Sequence, residues 1–136
     1  MLFRSALILA LSLGAASCGT GPKADVQLKG SAWRFALIDG KRPSTDTASI
    51  IFLGSKIRVQ IGCNLMEGKW SMQDDRLVAA ALSQSEIPCS APVWGQEKAV
   101  TALLVATPRL AVDENRMIIQ SSGHTAELVR DLQAAK

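Results

Sequence analysis

Two cysteines are the side chains of this sequence whose type and setting most readily support chemistry. Cys63 stands in a Gly62-Cys63-Asn64 turn, and Cys89 follows it later in the chain. Such a pair is typical of a metal site, a dithiol redox centre or a structural disulfide. The sequence has no Cys-x-x-Cys motif and only one histidine, His124. The spacing therefore gives no direct support to a metal or redox site.

The N-terminus predicts the compartment in which these thiols lie. Arg4 is followed by an apolar run at 6–13 and by small residues at 14–17, directly before Cys18. This pattern indicates an export signal over 1–17. Small residues ending on a cysteine resemble the bacterial lipobox, so we predict lipidation of Cys18, with simple secretion as the alternative.

Localisation follows from that signal. We expect an outer-membrane lipoprotein facing the periplasm, held to the membrane by acyl chains on Cys18. Thiols in an oxidising compartment tend to pair. We therefore predict a disulfide between Cys63 and Cys89, and two free buried thiols are the alternative.

A hydrolase would need a base and a nucleophile. His124 follows Ser121 and Ser122, but neighbours in a Ser-Ser-Gly-His turn do not by themselves form an oriented pair, and no Gly-x-Ser-x-Gly motif is present. We interpret His124 as a turn residue.

The carboxylates have equally plain interpretations. Asp74 and Asp75 form a turn signal, Glu67 lies nearby, and Glu97 is expected to be a structural partner for a turn or an arginine. We therefore predict no catalytic residues, no metal site and no cofactor, and we expect a protein that is not an enzyme.

Most of the chain has the pattern of short strands between turn residues. The segment 56–61 alternates most clearly, with Ile57, Val59 and Ile61 on one face. Strands are predicted at 33–38, 50–53, 56–61, 69–72, 77–82, 109–112, 117–120 and 125–130.

One segment has helical spacing instead. Ser90 and Pro92 are typical of a helix start, and an amphipathic run continues to about 105. One helix among many strands must pack its apolar face on the sheet. We predict an α+β fold in which a curved antiparallel β-sheet, a partly open barrel-like meander, packs against one α-helix.

Domain organisation and charge set further limits. We expect a lipidated cysteine and flexible tether over 18–30 and a single domain over 31–132. Lys and Arg number 15 against 12 Asp and Glu, and the basic residues are scattered. This composition does not favour a nucleic-acid partner.

The three tryptophans, Trp33, Trp70 and Trp94, are the largest apolar groups of the chain. Core packing is the favoured interpretation. The alternative is that they line an apolar groove between sheet and helix that accepts a lipid tail or a partner's peptide.

With the elements placed, the residues from about 31 to 130 resemble the META domain family, also called HslJ-like. The more specific part of the match is Gly62, Cys63, Asn64, Gly68, Trp70, Cys89 and Glu97. Weaker matches are Trp33, Gly40, Pro43, the strand at 50–53, Leu77, Leu103 and the final strand. The chain departs from the family in two places. Family members often have Thr and Met shortly before the second cysteine, where this chain has residues 84–88, and they commonly have Tyr at the position of Trp70.

The resemblance implies a domain type more than a reaction. It implies an envelope or heat-shock-associated accessory protein, linked in some bacteria to novobiocin resistance, with a fold likened to the pilot lipoproteins of secretins. No catalytic residues of the family are available to transfer. We expect a binding role in stress tolerance or outer-membrane maintenance, with an envelope protein or a lipid as partner; the alternatives are a pilot or chaperone and a carrier of acyl chains.

Overall fold

The computed structural model describes residues 23–134. The described residues form eight strands and two helices. In chain order these are α1 (Ala24–Leu28), β1 (Ser31–Ile38), β2 (Ser49–Leu53), β3 (Lys56–Gln60), β4 (Leu65–Gln73), β5 (Arg76–Gln84), α2 (Ala91–Val105), β6 (Arg109–Asp113), β7 (Arg116–Gln120) and β8 (Thr125–Arg130).

The strands form an antiparallel barrel in which each pairs with its neighbours in sequence and β8 closes against β1. The predicted α+β class is confirmed, and the sheet is closed where we expected it to be partly open. Closure depends on a narrow seam, because β5 and β6 share one residue pair, Arg76 with Arg109. The helix α2 connects these two strands.

Tight turns keep consecutive strands adjacent. Asp39 and Gly40, between β1 and β2, both have positive φ, as does Asp74 between β4 and β5. Gly and Asp tolerate this left-handed conformation better than most residues. The Asp39-Gly40 and Asp74-Asp75 signals in the sequence therefore mark real chain reversals.

The barrel interior is filled by the apolar face of each strand. In β3, Ile57 and Val59 are buried while the residues on either side of each are exposed. This is the alternation that the sequence predicts. Burying a side chain of this size contributes about 1.5–3 kcal/mol. Other large, fully buried side chains are Trp33, Phe52, Leu28, Ile50, Ile61, Met66, Leu77, Leu103, Leu104, Met117 and Ile119.

Helix α2 lies over residues 91–105, as the sequence predicts, and it contacts β5 and β1. Val100, Leu103 and Leu104 are buried on its inner face, and Glu97 is buried with them. None of the helices among residues 23–134 has the length and apolarity needed to cross a membrane.

The short helix α1 lies within the segment predicted as a tether. Its last residue, Leu28, is fully buried in the core. The Ser31 hydroxyl donates to the Leu28 carbonyl, and the Gly30 N–H donates to the Phe52 carbonyl at 2.8 Å. Five residues are too few to produce a helical period in the sequence. The predicted signal peptide and Cys18 lie outside the described residues.

Candidate functional site

A disulfide joins Cys63 to Cys89, with 6.0 Å between their Cα atoms. Cys63 lies in the turn between β3 and β4, and Cys89 lies just before α2. The bond therefore attaches the chain entering α2 to the barrel.

Asn64, beside this disulfide, is buried and uses its side-chain amide to hold the segment before α2. Its Oδ1 accepts the Ile87 N–H at 2.7 Å and the Ser85 hydroxyl at 3.0 Å. Its Nδ2 donates to the Ile87 carbonyl at 2.9 Å. One side chain thus pairs both backbone groups of Ile87, as a neighbouring strand would. Asn64 does not have positive φ, so its role in this turn comes from its side chain.

Glu97 reaches the same turn from α2. Its Oε1 accepts the Asn64 backbone N–H at 2.9 Å, and its Oε2 accepts Asn64 Nδ2 at 2.9 Å. The side chain is 1% exposed. Within residues 23–134, the ion pairs join Arg34 to Asp131, Arg58 to Glu67, Arg109 to Asp75 and His124 to Asp39. Among the described residues, Glu97 is therefore hydrogen-bonded to the turn and is not paired with a cation.

Gly62 allows the turn to approach α2 closely. A Cβ at this position would lie 1.9 Å from Val93 Cγ1 and 3.6 Å from Glu97 Oε1. Its φ is not in the left-handed region. The requirement for glycine here comes from the space beside Val93.

A surface cleft of about 500 Å³ lies beside this network, and we call it the Trp94 cleft. Its lining is Asn64, Gln84, Ser85, Glu86, Ile87, Pro88, Cys89 and Trp94. Ile87 and Trp94 are 54% and 53% exposed. The Lys98 Nζ lies 4.1 Å from the centroid of the Trp94 ring, at cation–π distance. The cleft thus combines apolar side chains with the buried polar network at Asn64.

The Gly-Cys-Asn turn, the second cysteine before α2 and the buried glutamate together have the features expected of one family. A family model of the META domain matches residues 26–133. The chain belongs to the META domain family.

Two solved structures share this fold. One NMR structure has a TM-score of 0.71 at 16% identity, over 79% of this chain and 95% of its own. An NMR structure of a protein from Burkholderia xenovorans has a TM-score of 0.64 at 18% identity, over 90% of this chain and 100% of its own. No curated protein matches the sequence.

Two further motif residues of the META domain, Gly68 and Trp70, are structural. The pairing of β4 with β5 shifts register at Gly68, where a Cβ would lie 2.8 Å from the Ala80 carbonyl oxygen. Trp70 packs edge-on to Phe52 and donates from Nε1 to the Gly54 carbonyl at 2.9 Å. Both residues set the shape of the sheet and lie outside the lining of the Trp94 cleft.

The three tryptophans do not share a groove. Trp33 has no exposed surface, and its Nε1 donates to the Ser31 hydroxyl at 2.7 Å. Trp70 is partly buried against the core, and only Trp94 lines the cleft. The core interpretation therefore holds for Trp33 and Trp70, because alternation along β1 and β4 turns both rings toward the barrel interior.

His124 forms a pair that the sequence did not reveal. Its Nδ1 lies 2.8 Å from Asp39 Oδ2, and Asp39 Oδ1 accepts the Thr125 N–H at 2.9 Å. The Ser121 hydroxyl accepts the His124 N–H at 3.2 Å, so it serves the turn. The partner of His124 comes from a turn far away in sequence, and no local signal identifies it.

The charge on Asp39 is stabilised by its neighbours. Partial burial alone raises its pKa. The hydrogen bond from Thr125, the hydrogen bond and charge of His124 and the charge of Lys41 outweigh burial and lower the pKa below its ordinary value.

Proposed function

We propose that this META domain is a non-enzymatic binding module of the bacterial cell envelope, anchored by lipid on Cys18, that holds a protein partner at the Trp94 cleft. The observation that carries the proposal is the exposure of Trp94 and Ile87 beside this cleft. Aromatic anchors of this kind contribute much of the binding energy in protein interfaces. A role in stress tolerance or outer-membrane maintenance would be exerted through that partner.

The wall of the cleft is held in place before any partner arrives. Ile87 is fixed through both of its backbone groups by Asn64, and Cys89 is tied to Cys63. A preordered wall loses little conformational entropy on binding. This rigidity favours a cleft that recognises a partner's side chain or an extended segment.

The barrel interior favours a protein partner over an acyl chain. Large side chains including Trp33, Phe52 and Met117 fill it, and each is fully buried. An acyl carrier would need a long apolar cavity. The Trp94 cleft is also lined by polar residues such as Gln84 and Glu86, which a peptide satisfies better than a hydrocarbon chain.

Crosslinking in the native envelope tests the proposal. Tagged wild-type protein, Trp94→Ala and Ile118→Ala are crosslinked and purified, and retained proteins and lipids are identified by mass spectrometry. Ile118 is a matched control because it is 48% exposed and lines a different surface cavity. We expect a protein that wild type and Ile118→Ala retain and Trp94→Ala loses. A lipid lost in the same pattern supports the acyl carrier instead, and identical retention by all three contradicts the cleft.

Two further variants test the anchor and the non-enzymatic class. Cys18→Ala should move the protein from the membrane fraction to the soluble envelope fraction. His124→Ala should leave the cellular phenotype intact, since we assign His124 to a turn. Loss of the phenotype in a folded His124→Ala protein would count against a binding role.

A further inference from the structure

Beside the Trp94 cleft, which Cys89 lines, two sulfur atoms lie close to the buried carboxylate of Glu97. We propose that reduction of the Cys63–Cys89 disulfide creates a Zn²⁺ site in which both thiolates and the Glu97 carboxylate are ligands. This inference does not depend on the proposed partner, which the oxidised protein would bind.

The positions of the three groups suit zinc. One ligand atom from each of Cys63, Cys89 and Glu97 lies within 4.8 Å of the others. Cys89 Sγ lies 3.4 Å from Glu97 Oε2. Tetrahedral zinc, with Zn–S of about 2.3 Å and Zn–O of about 2.0 Å, places sulfur and oxygen roughly 3.5 Å apart. The Cys89 and Glu97 atoms already have this separation, and breaking the disulfide lets the two sulfurs move apart.

Asn64 already provides the hydrogen bonds that orient ligands around a metal. Its backbone N–H and Nδ2 fix the two oxygens of Glu97. The same Nδ2 lies 3.3 Å from Cys89 Sγ and 3.5 Å from Cys63 Sγ. Both Nδ2 hydrogens are donated to Glu97 Oε2 and the Ile87 carbonyl, so Asn64 orients the Glu97 ligand by hydrogen bonds and faces the sulfurs only with its amide dipole. These contacts exist in the oxidised protein, so the surroundings of the site are formed before reduction.

Charge explains why a cation would bind there. Glu97 is 1% exposed and belongs to none of the ion pairs among residues 23–134. Two thiolates beside it would concentrate negative charge where water is scarce, which is costly without a cation. Thiolates select zinc over magnesium or calcium. Cys89 lines the Trp94 cleft, so a water molecule can enter as the fourth ligand.

The chemistry balances with an external dithiol as reductant. The Cys63–Cys89 bond breaks as it takes two electrons and two protons, and the dithiol becomes a disulfide. Zinc then displaces the two thiol protons to solvent and forms two Zn–S bonds and one Zn–O bond. The disulfide and the zinc site are mutually exclusive, so the redox state of the pair would determine metal binding.

The test compares oxidised and reduced wild-type protein. Reduced protein, freed of reductant under anaerobic conditions, is titrated with Zn²⁺ against a chromophoric chelator and with Co²⁺ as a spectroscopic probe. We expect one equivalent of metal, with thiolate-to-cobalt charge transfer and tetrahedral d–d bands, and no binding by the oxidised form. Equal binding by both forms, or no binding by the reduced form, overturns the proposal.

Variants distinguish a three-ligand zinc site from zinc binding by two free thiols alone. Glu97→Gln should weaken zinc binding by about 10- to 100-fold or more, whereas Glu86→Gln, on the exposed cleft wall, should not change it. If reduction unfolds the chain, zinc should restore the near-ultraviolet circular dichroism of the wild type and fail to restore that of Cys63→Ser. Zinc that binds without restoring this signal, or that binds Glu97→Gln equally well, overturns the site.

Discussion

Asn64 and Glu97 are joined by two hydrogen bonds across 33 residues of sequence. The Asn64 backbone N–H donates to Oε1 and its Nδ2 donates to Oε2, each at 2.9 Å. The pair fixes helix α2 to the turn that carries Cys63. It also orients the amide that holds Ile87, so the wall of the Trp94 cleft depends on this contact.

Replacing Glu97 with Gln should destabilise the fold. A glutamine has one acceptor oxygen, so in either orientation its NH₂ group faces one of the two Asn64 donors. A buried donor left without an acceptor costs about 1–3 kcal/mol. Urea denaturation of the oxidised protein measures the loss, and Glu86→Gln should change the free energy of unfolding by less than about 0.5 kcal/mol. Equal losses in the two variants would contradict the assigned role.

Gly62→Ala tests the close approach of the turn to α2. The added methyl would lie 1.9 Å from Val93 Cγ1, and overpacking of this kind costs about 1–3 kcal/mol. Val93→Ala in the same chain removes the obstructing atom. The double variant should therefore be more stable than the sum of the two single changes predicts.

Gly95→Ala is the matched control for that cycle. Gly95 lies in α2, and a Cβ there would meet nothing within 4 Å. Alanine in a helix interior is favoured over glycine by up to about 1 kcal/mol, so this variant should be stabilised. If Gly62→Ala behaves like Gly95→Ala, the steric argument is wrong.

Local features of the sequence were sufficient for most of the fold. The predicted helix and the last strand coincide with α2 and β8, since period, caps and turn residues are all local signals. The sequence does not predict the closure of the barrel, because closure requires β8 to pair with β1, which is distant in sequence. It also depends on one residue pair between β5 and β6.

The site was predicted less completely, because its contacts are long-range. The motif in the sequence indicates Asn64 and Glu97, but it does not indicate the hydrogen bonds between them. The side chain of Asn64 pairs with Ile87 in a segment without regular structure, which has no sequence period. The dipeptide Asp39-Gly40 is a local turn signal, but the contact of Asp39 with His124 forms only because β1 lies beside β8.

Removing the disulfide should lower stability substantially. A closed loop of this length contributes roughly 3 to 4 kcal/mol through the entropy of the unfolded chain. Cys63→Ser with Cys89→Ser should lose this amount in urea denaturation, in metal-free buffer. Thiol labelling of denatured, unreduced wild type should find neither cysteine reactive, and two labelled thiols in protein from the envelope would contradict the bond.

Asp39 should make stability depend on pH in the acid range. Its pKa is lowered in the folded protein, so its contribution is complete above its unfolded pKa of about 3.9 and is lost as pH falls through the folded value. Because the pair with His124 is partly exposed, the contribution should be below about 1 kcal/mol.

Asp39→Asn removes the charge and keeps the backbone conformation, since asparagine tolerates the positive φ at this position. Urea midpoints should differ between wild type and variant at pH 6 and converge toward pH 2, because these two pH values lie above and below the titration of Asp39. The exposed Asp46→Asn should follow wild type at both, and a constant offset for Asp39→Asn would assign the effect to packing rather than to charge.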